Sequence, residues 1–132
     1  MEFVKRSRIS RMEEIVMIKL SNTIVEILEY NGFNYNEIEE QDGKYYIELN
    51  NDTPEGEDWW LTVWFDGTDK SFVDAVQEII TDFDVDEEVE IWIPSRGQNG
   101  VPSSISALVH DAEWKLEQLE SLLSDLLRMK VA

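Results

Sequence analysis

The sequence predicts a single α+β domain with a small, largely antiparallel sheet of about four strands and three helices, the last of them long. Three observations predict this class. Helix-like and strand-like patterns follow one another in the order helix, hairpin, strand, helix, strand, helix. Asp42-Gly43 separates two strand-like runs, which is typical of a tight hairpin. The 132 residues, 42% of them hydrophobic, are enough for one core, and they show no internal repeat.

The first helix is predicted to follow residues 1–9, which we expect to form a loose basic arm. Ser10–Glu13 has the form of a capping box, and Asn31-Gly32 is a typical helix stop. Because the run is rich in β-branched residues, a strand over Ile15–Leu20 followed by a shorter helix is the alternative. The apolar positions at helical spacing are Met12, Ile15, Val16, Leu20, Ile24, Ile27 and Leu28.

The hairpin is predicted to join Glu37–Glu40 to Tyr45–Asn50. The second strand places Tyr45, Ile47 and Leu49 on one face and Lys44, Tyr46 and Glu48 on the other. A loop over Asn51–Glu57, with Pro54 and Gly56, leads to the next strand.

The strand over Trp59–Phe65 is apolar on both faces, which is typical of a central strand. Alternation places Trp59, Leu61, Val63 and Phe65 on one face and Trp60, Thr62 and Trp64 on the other.

The next two elements are predicted to be a helix and a strand. Ser71–Asp74 is expected to cap the helix, which would bury Phe72, Val76, Ile79, Ile80 and Phe83. The strand is predicted to point Val89, Ile91 and Ile93 inward and Glu88, Glu90 and Trp92 to the other face.

The last helix is predicted to follow a flexible loop over Pro94–Pro102, with Ser103 or Ser104 as its cap. Apolar residues at 105, 112, 119 and 126 repeat every seven positions, so the helix could pair with a second copy of the chain. Packing against its own sheet is the interpretation we favour. The wide apolar stripe comprises Ile105, Leu108, Val109, Ala112, Leu116, Leu119, Leu122, Leu123 and Leu126.

Charge is concentrated in one segment. Glu37–Glu90 holds 19 of the 29 acidic residues and only two of the 11 basic ones, Lys44 and Lys70, in a chain of formal net charge −18. Such a field disfavours direct binding to nucleic acid or to anionic membranes, and it favours basic protein partners. The alternative is that the acidity serves solubility alone.

The composition also indicates in which cellular compartment the protein is expected. The absence of cysteine excludes disulfides and thiolate metal sites. No apolar run approaches the length of a membrane span, and the basic start lacks the pattern of a secretory signal. We therefore expect a cytoplasmic protein.

We expect no catalytic residue, no metal and no cofactor. The one histidine, His110, lies on a predicted helix without a nucleophile pattern and is interpreted as solvated. Asp82, Asp84 and Asp86 begin like a calcium loop, but Glu87 and Ile93 stand where that loop needs glycine and glutamate. The loop over Arg96–Gly100 could hold an anion at a helix start, although a simple turn is favoured.

One face of the predicted sheet combines aromatic and acidic side chains, which is typical of surfaces that capture arginine-rich proteins. Alternatively, the first or last helix covers its tryptophans. Carboxylates here and in Asp82–Glu90 could imitate a phosphate track and so fit a nuclease groove. The predicted face comprises Tyr46, Glu48, Trp60, Thr62, Trp64, Glu88, Glu90 and Trp92.

Three stretches, Gly56–Thr68, Phe83–Glu88 and Gly100–Ile105, resemble small acidic proteins of bacterial mobile elements and phages. In size and charge alone, the chain is also similar to DNA-mimic inhibitors, including anti-CRISPR and anti-restriction proteins. These resemblances carry over no catalytic motif. They imply an inhibitor that acts inside a bacterial host cell.

The sequence therefore predicts a non-enzymatic inhibitor that binds a basic nucleic-acid-binding protein, with a CRISPR nuclease as the candidate. The alternative is a structural or adaptor protein that dimerises through its last helix. A small hydrolase with a carboxylate pair is a third hypothesis, which no motif supports. The predicted partner-binding residues are Glu48, Trp60, Asp82, Asp84, Asp86, Glu87, Glu88, Glu90 and Trp92.

Overall fold

A four-stranded antiparallel sheet buries one face against helices, as the predicted α+β class requires. The structure is a computed structural model that describes residues 20–129. In that part of the chain there are four α-helices instead of the three predicted. The elements are α1 (Asn22–Tyr30), β1 (Asn34–Tyr35), β2 (Glu39–Gln41), β3 (Lys44–Asp52), β4 (Asp58–Phe65), α2 (Asp69–Asp82), α3 (Val85–Trp92), a 3-10 turn (Ile93–Ser95) and α4 (Ile105–Arg128).

Strand β3 is the centre of the sheet. The short strands β1 and β2 pair with its two halves along one edge, and β4 pairs along the other edge from Tyr45↔Phe65 to Asp52↔Asp58. The prediction of a central position for β4 is wrong, because within residues 20–129 it pairs with β3 alone. Its second apolar face is not covered by the described helices, since Trp60 and Trp64 are 48% and 44% exposed.

The β2–β3 hairpin turns at Asp42-Gly43, as predicted. Both residues have positive φ, 52° and 82°, and Gln41 pairs directly with Lys44. Two consecutive left-handed residues form the turn whose twist matches that of the strands. The turn chemistry therefore fixes the register of β3 and decides which of its side chains face the core.

The first helix is capped by Ser21, whose Oγ accepts a hydrogen bond from the Ile24 amide at 3.2 Å. It ends at Asn31-Gly32, with Gly32 at φ 84°, as predicted. The predicted arm at 1–9, the capping box Ser10–Glu13 and residues 15–19 of the alternative strand lie outside the described residues.

Helix α2 begins at Thr68 and not, as predicted, at Ser71. The Thr68 Oγ1 accepts a hydrogen bond from the Ser71 amide at 3.1 Å, so Ser71 already lies in the first turn. Phe72 and Val76 are buried as expected, and Val73 joins them in the core.

Residues 85–92 form a helix, so the prediction of a strand with Val89, Ile91 and Ile93 inward is wrong. Asp84 caps this helix by accepting hydrogen bonds from the Asp86 and Glu87 amides at 2.9 and 3.2 Å. Val89 is buried, but Ile91 is 63% exposed. The acidic first turn also stabilises a helix N-terminus, and this effect outweighs the strand propensity of the β-branched residues.

Helix α4 is capped by Ser104 and packs within its own chain, as favoured. Leu119, Leu122 and Leu126 join the main core beneath the sheet. Leu108 and Ala112, nearer the helix start, form a second apolar cluster with Val89 of α3 and Val101. Helix α4 thereby connects two hydrophobic clusters, and α3 is held in the helical layer.

We expect Gly43→Ala to lower the free energy of unfolding by about 1 kcal/mol, because an alanine resists the left-handed conformation that the turn needs. An added β-carbon meets no described atom within 4 Å, so the cost is conformational and not steric. Urea unfolding measures the change. Asp42→Asn is the matched control, since asparagine tolerates positive φ. Equal stability of Gly43→Ala and the parent protein would contradict this account of the turn.

Candidate functional site

Five acidic side chains are exposed where α2 meets α3. Three of them, Asp82, Asp84 and Glu87, line a cavity of about 290 Å³ together with the apolar side chains of Ile79, Phe83 and Ile91. Exposed isoleucine beside exposed carboxylates combines an apolar anchor with a charged rim. We call this surface the acidic corner; its carboxylates are Asp82, Asp84, Asp86, Glu87 and Glu90.

The carboxylates of the acidic corner are not equivalent. Asp84 uses one oxygen to cap α3. Asp82, Asp86, Glu87 and Glu90 have side chains without an ion-pair or hydrogen-bond partner among residues 20–129. Four carboxylates are therefore available to an incoming cation, whereas Asp84 mainly holds the helix in place.

Glu88 and Trp92 point into the protein, so their predicted place on a partner-binding sheet face is wrong. The Trp92 indole donates to Glu88 Oε2 at 2.8 Å, and Lys115 Nζ donates to the same oxygen at 2.5 Å. The physical reason is the helical geometry of α3, which turns these two residues toward α4 while Glu90 and Ile91 face solvent. Glu90 also lies in the helical layer and not on the sheet.

Lys115 is the centre of a buried charged network between α4, α3 and the loop before β4. It is 1% exposed, and its Nζ lies 2.8 Å from Oε2 of Glu57, which is 3% exposed. The indole rings of Trp59 and Trp92 lie 5.9 and 5.5 Å from the same nitrogen. Two carboxylates and two aromatic faces thus replace the water that a lysine loses on burial.

The loop before β4 is fixed by a second set of buried hydrogen bonds. Asp111, 1% exposed, accepts from the Thr53 hydroxyl at 2.7 Å and from the Glu55 amide at 3.2 Å. Thr53 Oγ1 in turn accepts from the Glu57 amide at 2.8 Å. These bonds hold the Glu57 carboxylate at the position where it meets Lys115.

Burial raises the pKa of the Glu57 carboxyl above its usual range, and the charges of Glu88 and Asp111 act in the same direction. Lys115 opposes them through its hydrogen bond and its charge. Glu57 Oε1 is buried and accepts no hydrogen bond from the described residues. Because this carboxyl is enclosed, its role is to hold the structure together and not to meet a substrate.

The exposed face of the sheet brings together five residues that were predicted to share a surface. Direct cross-strand pairs are Tyr46↔Trp64 and Glu48↔Thr62, and Trp60 pairs with Asn50. The rings of Tyr46 and Trp64 are 4.6 Å apart between centroids. Since Trp60 and Trp64 are about half exposed, the described helices do not cover this face. We call it the open face; it comprises Tyr46, Glu48, Trp60, Thr62 and Trp64.

The remaining candidate residues form no further site in the described part of the chain. His110 is exposed on α4, with its Nδ1 3.1 Å from Glu55 Oε2. Residues 20–129 contain no cluster of three or more metal-ligating side chains. The Arg96–Gly100 loop is a turn closed by hydrogen bonds from the Gly97 amide to the carbonyls of Val101 and Pro102.

Within residues 20–129, no helix combines the length and the apolar character needed to cross a membrane. Comparisons with protein-family models, with curated proteins and with solved structures give no match.

The buried network was not predicted. The sequence signal that could have indicated it is the helical spacing of apolar residues in α4. Leu108, Ala112 and Leu119 define the buried stripe of this helix. Positions 111 and 115 complete that stripe at helical spacing, so Asp111 and Lys115 had to be buried with it. A buried lysine needs a carboxylate, but the helix pattern does not identify Glu57 as its partner.

We expect Lys115→Met to lower the free energy of unfolding by about 3 kcal/mol, because it leaves Glu57 buried without its cation. The double variant Glu57→Met/Lys115→Met should recover much of this loss, since neither buried charge remains. Chemical unfolding of the two variants and the parent protein measures both effects. Additive losses in the double variant would contradict a direct coupling between Lys115 and Glu57.

The raised pKa of Glu57 predicts a defined pH dependence. Between the ordinary pKa of 4.5 and the raised value, the folded protein binds more protons than the unfolded one. The stability contributed by Glu57 is therefore fully present below that window and is lost as pH rises through it. We expect the free energy of unfolding of the parent protein, minus that of Glu57→Gln, to fall as the pH rises above 4.5 and through the raised pKa of Glu57.

Urea unfolding across that range measures this difference. Glu113→Gln, on the exposed side of α4, controls for the loss of one negative charge. A difference that stays constant or rises with pH would show that burial does not raise the pKa of Glu57.

Proposed function

We propose that this protein is a non-enzymatic inhibitor that binds a basic nucleic-acid-binding protein through the acidic corner. The observation that carries the proposal is a group of four exposed carboxylates without partners among residues 20–129, two of which, Asp82 and Glu87, line a cavity with the side chain of Ile91, which is 63% accessible. Free carboxylates attract arginine and lysine, and an apolar side chain beside them supplies contact area once water is excluded.

The spacing of these charges supports mimicry of a nucleic-acid backbone. Asp86 and Glu90 lie one turn apart on α3, about 6 Å along the helix axis. This spacing is comparable to that of phosphates along a DNA strand. A groove that holds DNA through arginine and lysine would accept such a row, because phosphate contacts depend on charge and position.

The proposed target is a nuclease of the CRISPR type, in the cytoplasm of a bacterial host cell. Such enzymes hold nucleic acid in a positively charged channel. The concentration of charge between Glu37 and Glu90 would steer the inhibitor toward that channel. The similarity of the chain in size and charge to DNA-mimic inhibitors points to the same class of target.

No observation favours the adaptor alternative. The heptad positions Ala112, Leu119 and Leu126 are each 1% exposed and are occupied by contacts within the chain. The described part of α4 therefore offers no continuous apolar stripe to a second copy. Carboxylate-pair hydrolysis likewise gains no support, because Glu57 and Glu88, the two carboxylates that meet at Lys115, are both paired with that lysine.

The proposal predicts that Asp86→Asn/Glu87→Gln/Glu90→Gln loses inhibition while the protein stays folded. These three side chains are exposed and have no partner within residues 20–129, and the cap at Asp84 and the pair at Glu88 remain intact. We expect affinity for the target to fall by at least about tenfold, since several charge contacts are lost together. Binding of labelled duplex DNA by a panel of purified RNA-guided nucleases, with and without the protein, measures inhibition.

The matched control is Glu113→Gln/Glu117→Gln/Glu120→Gln, which removes the same charge from the exposed side of α4. This variant should inhibit nearly as well as the parent protein. Inhibition should weaken steeply between about 0.1 and 0.5 M salt. If the parent protein inhibits none of the nucleases, or if both triple variants behave alike, the assignment to the acidic corner is wrong.

A further inference from the structure

We infer that the open face binds arginine side chains carried by an extended segment of a partner protein. This face lies on the solvent side of the sheet, whereas the acidic corner belongs to the helical layer on the other side. The inference goes beyond the proposed function, because it requires neither the acidic corner nor a nucleic-acid-binding partner.

The geometry places one carboxylate between two indoles. Glu48 lies directly opposite Thr62, and Trp60 and Trp64 stand two residues before and after Thr62 on the same face. Trp60 and Trp64 are therefore diagonal neighbours of Glu48. The backbone positions of such neighbours are about 7–8 Å apart, which is within reach of aromatic and long side chains. A guanidinium group can stack on an indole and donate to the carboxylate at the same time, since its flat surface and its donor edge are both free.

Glu48 is available for such a contact. Its carboxylate has no ion-pair or hydrogen-bond partner among residues 20–129, although its backbone carbonyl accepts from the Asn36 amide at 3.0 Å. Glu39 lies opposite Tyr46 and adds a second carboxylate to this face, while Lys44 stands at the hairpin end, opposite Gln41. The local charge therefore favours a cation.

The chemistry favours arginine over lysine. Stacking on a tryptophan while donating hydrogen bonds to a carboxylate uses the planar, weakly hydrated guanidinium, which a compact ammonium group does not match. The indoles of Trp60 and Trp64 are 48% and 44% exposed, so each offers a ring surface without rearrangement of the core.

An extended segment fits this face better than a helix does. Trp60 and Trp64 lie four residues apart on β4, about 13 Å along its axis. An extended segment beside β4 has the same rise per residue, so its alternate side chains would lie on this face at the same spacing as the alternate side chains of β4. Because β4 is the last strand on its side of the described sheet, such a segment can approach from the edge. A groove of about 530 Å³ between Trp64 and α2 continues the same surface and is lined by Asp74 and Glu78.

The test uses the isotope-labelled full chain and a synthetic peptide of about seven residues that alternates threonine with arginine. Nuclear magnetic resonance resolves the indole signals of the five tryptophans separately. We expect the signals of Trp60 and Trp64 to move in a saturable manner, with those of Trp59, Trp92 and Trp114 unmoved. Peptides with citrulline or lysine in place of arginine test the charge and the guanidinium shape.

Two variants with the same change of charge locate the site. Glu48→Gln should weaken binding of the arginine peptide roughly three- to tenfold. Asp86→Asn, which removes one charge from the acidic corner, should change it less than about twofold. The lysine peptide should bind more weakly than the arginine peptide, and the citrulline peptide should not bind.

Three results would overturn the inference: no movement of the Trp60 and Trp64 signals at millimolar peptide, equal binding of the arginine and citrulline peptides, or equal affinity of Glu48→Gln and the parent protein. If Asp86→Asn weakens binding and Glu48→Gln does not, the peptide binds the acidic corner. That outcome contradicts the present inference and leaves the proposed function untouched.

Discussion

The ion pair between Lys115 and Glu57 is the contact on which the arrangement of the helices depends. It lies where the two hydrophobic clusters meet, and it joins α4 to the loop before β4 and, through Glu88, to α3. A buried cation must keep its partners close, because an unpaired charge in this environment is costly. The network therefore restricts how α3 can sit on α4, and it places the acidic corner relative to the sheet.

The acidic residues fall into two groups, which the sequence does not distinguish: those inside the buried network and those on the surface. Glu57, Glu88 and Asp111 are internal, where they neutralise a lysine or accept hydrogen bonds from a loop. By contrast, Asp82, Asp86, Glu87 and Glu90 are exposed, and no residue in the described part of the chain pairs with them. The formal net charge of −18 counts internal and exposed carboxylates alike. Only the exposed ones contribute to a binding surface.

The elements that could be predicted are those decided by local chemistry. Asp42-Gly43 sets its turn through backbone conformation alone, and the alternation of Trp59–Phe65 separates the core face from the open face. Helix α3 was misassigned because Val89, Ile91 and Ile93 alternate as in a strand, whereas the deciding signals were the Asp84 cap and the acidic first turn. The pairing of Lys115 with Glu57 spans 58 residues, so it depends on the tertiary fold and could not be read from local pattern.

Within residues 20–129, β4 forms one edge of the sheet, and this edge affects how the protein behaves in concentrated solution. The strand is rich in tryptophan and β-branched or aromatic residues, and such an edge can template the pairing of further chains. Asp58 and Asp66 stand at its two ends, and the strong overall negative charge keeps copies apart. Near the isoelectric point of about 4.2 that repulsion vanishes, and the same strand becomes the place where aggregation begins.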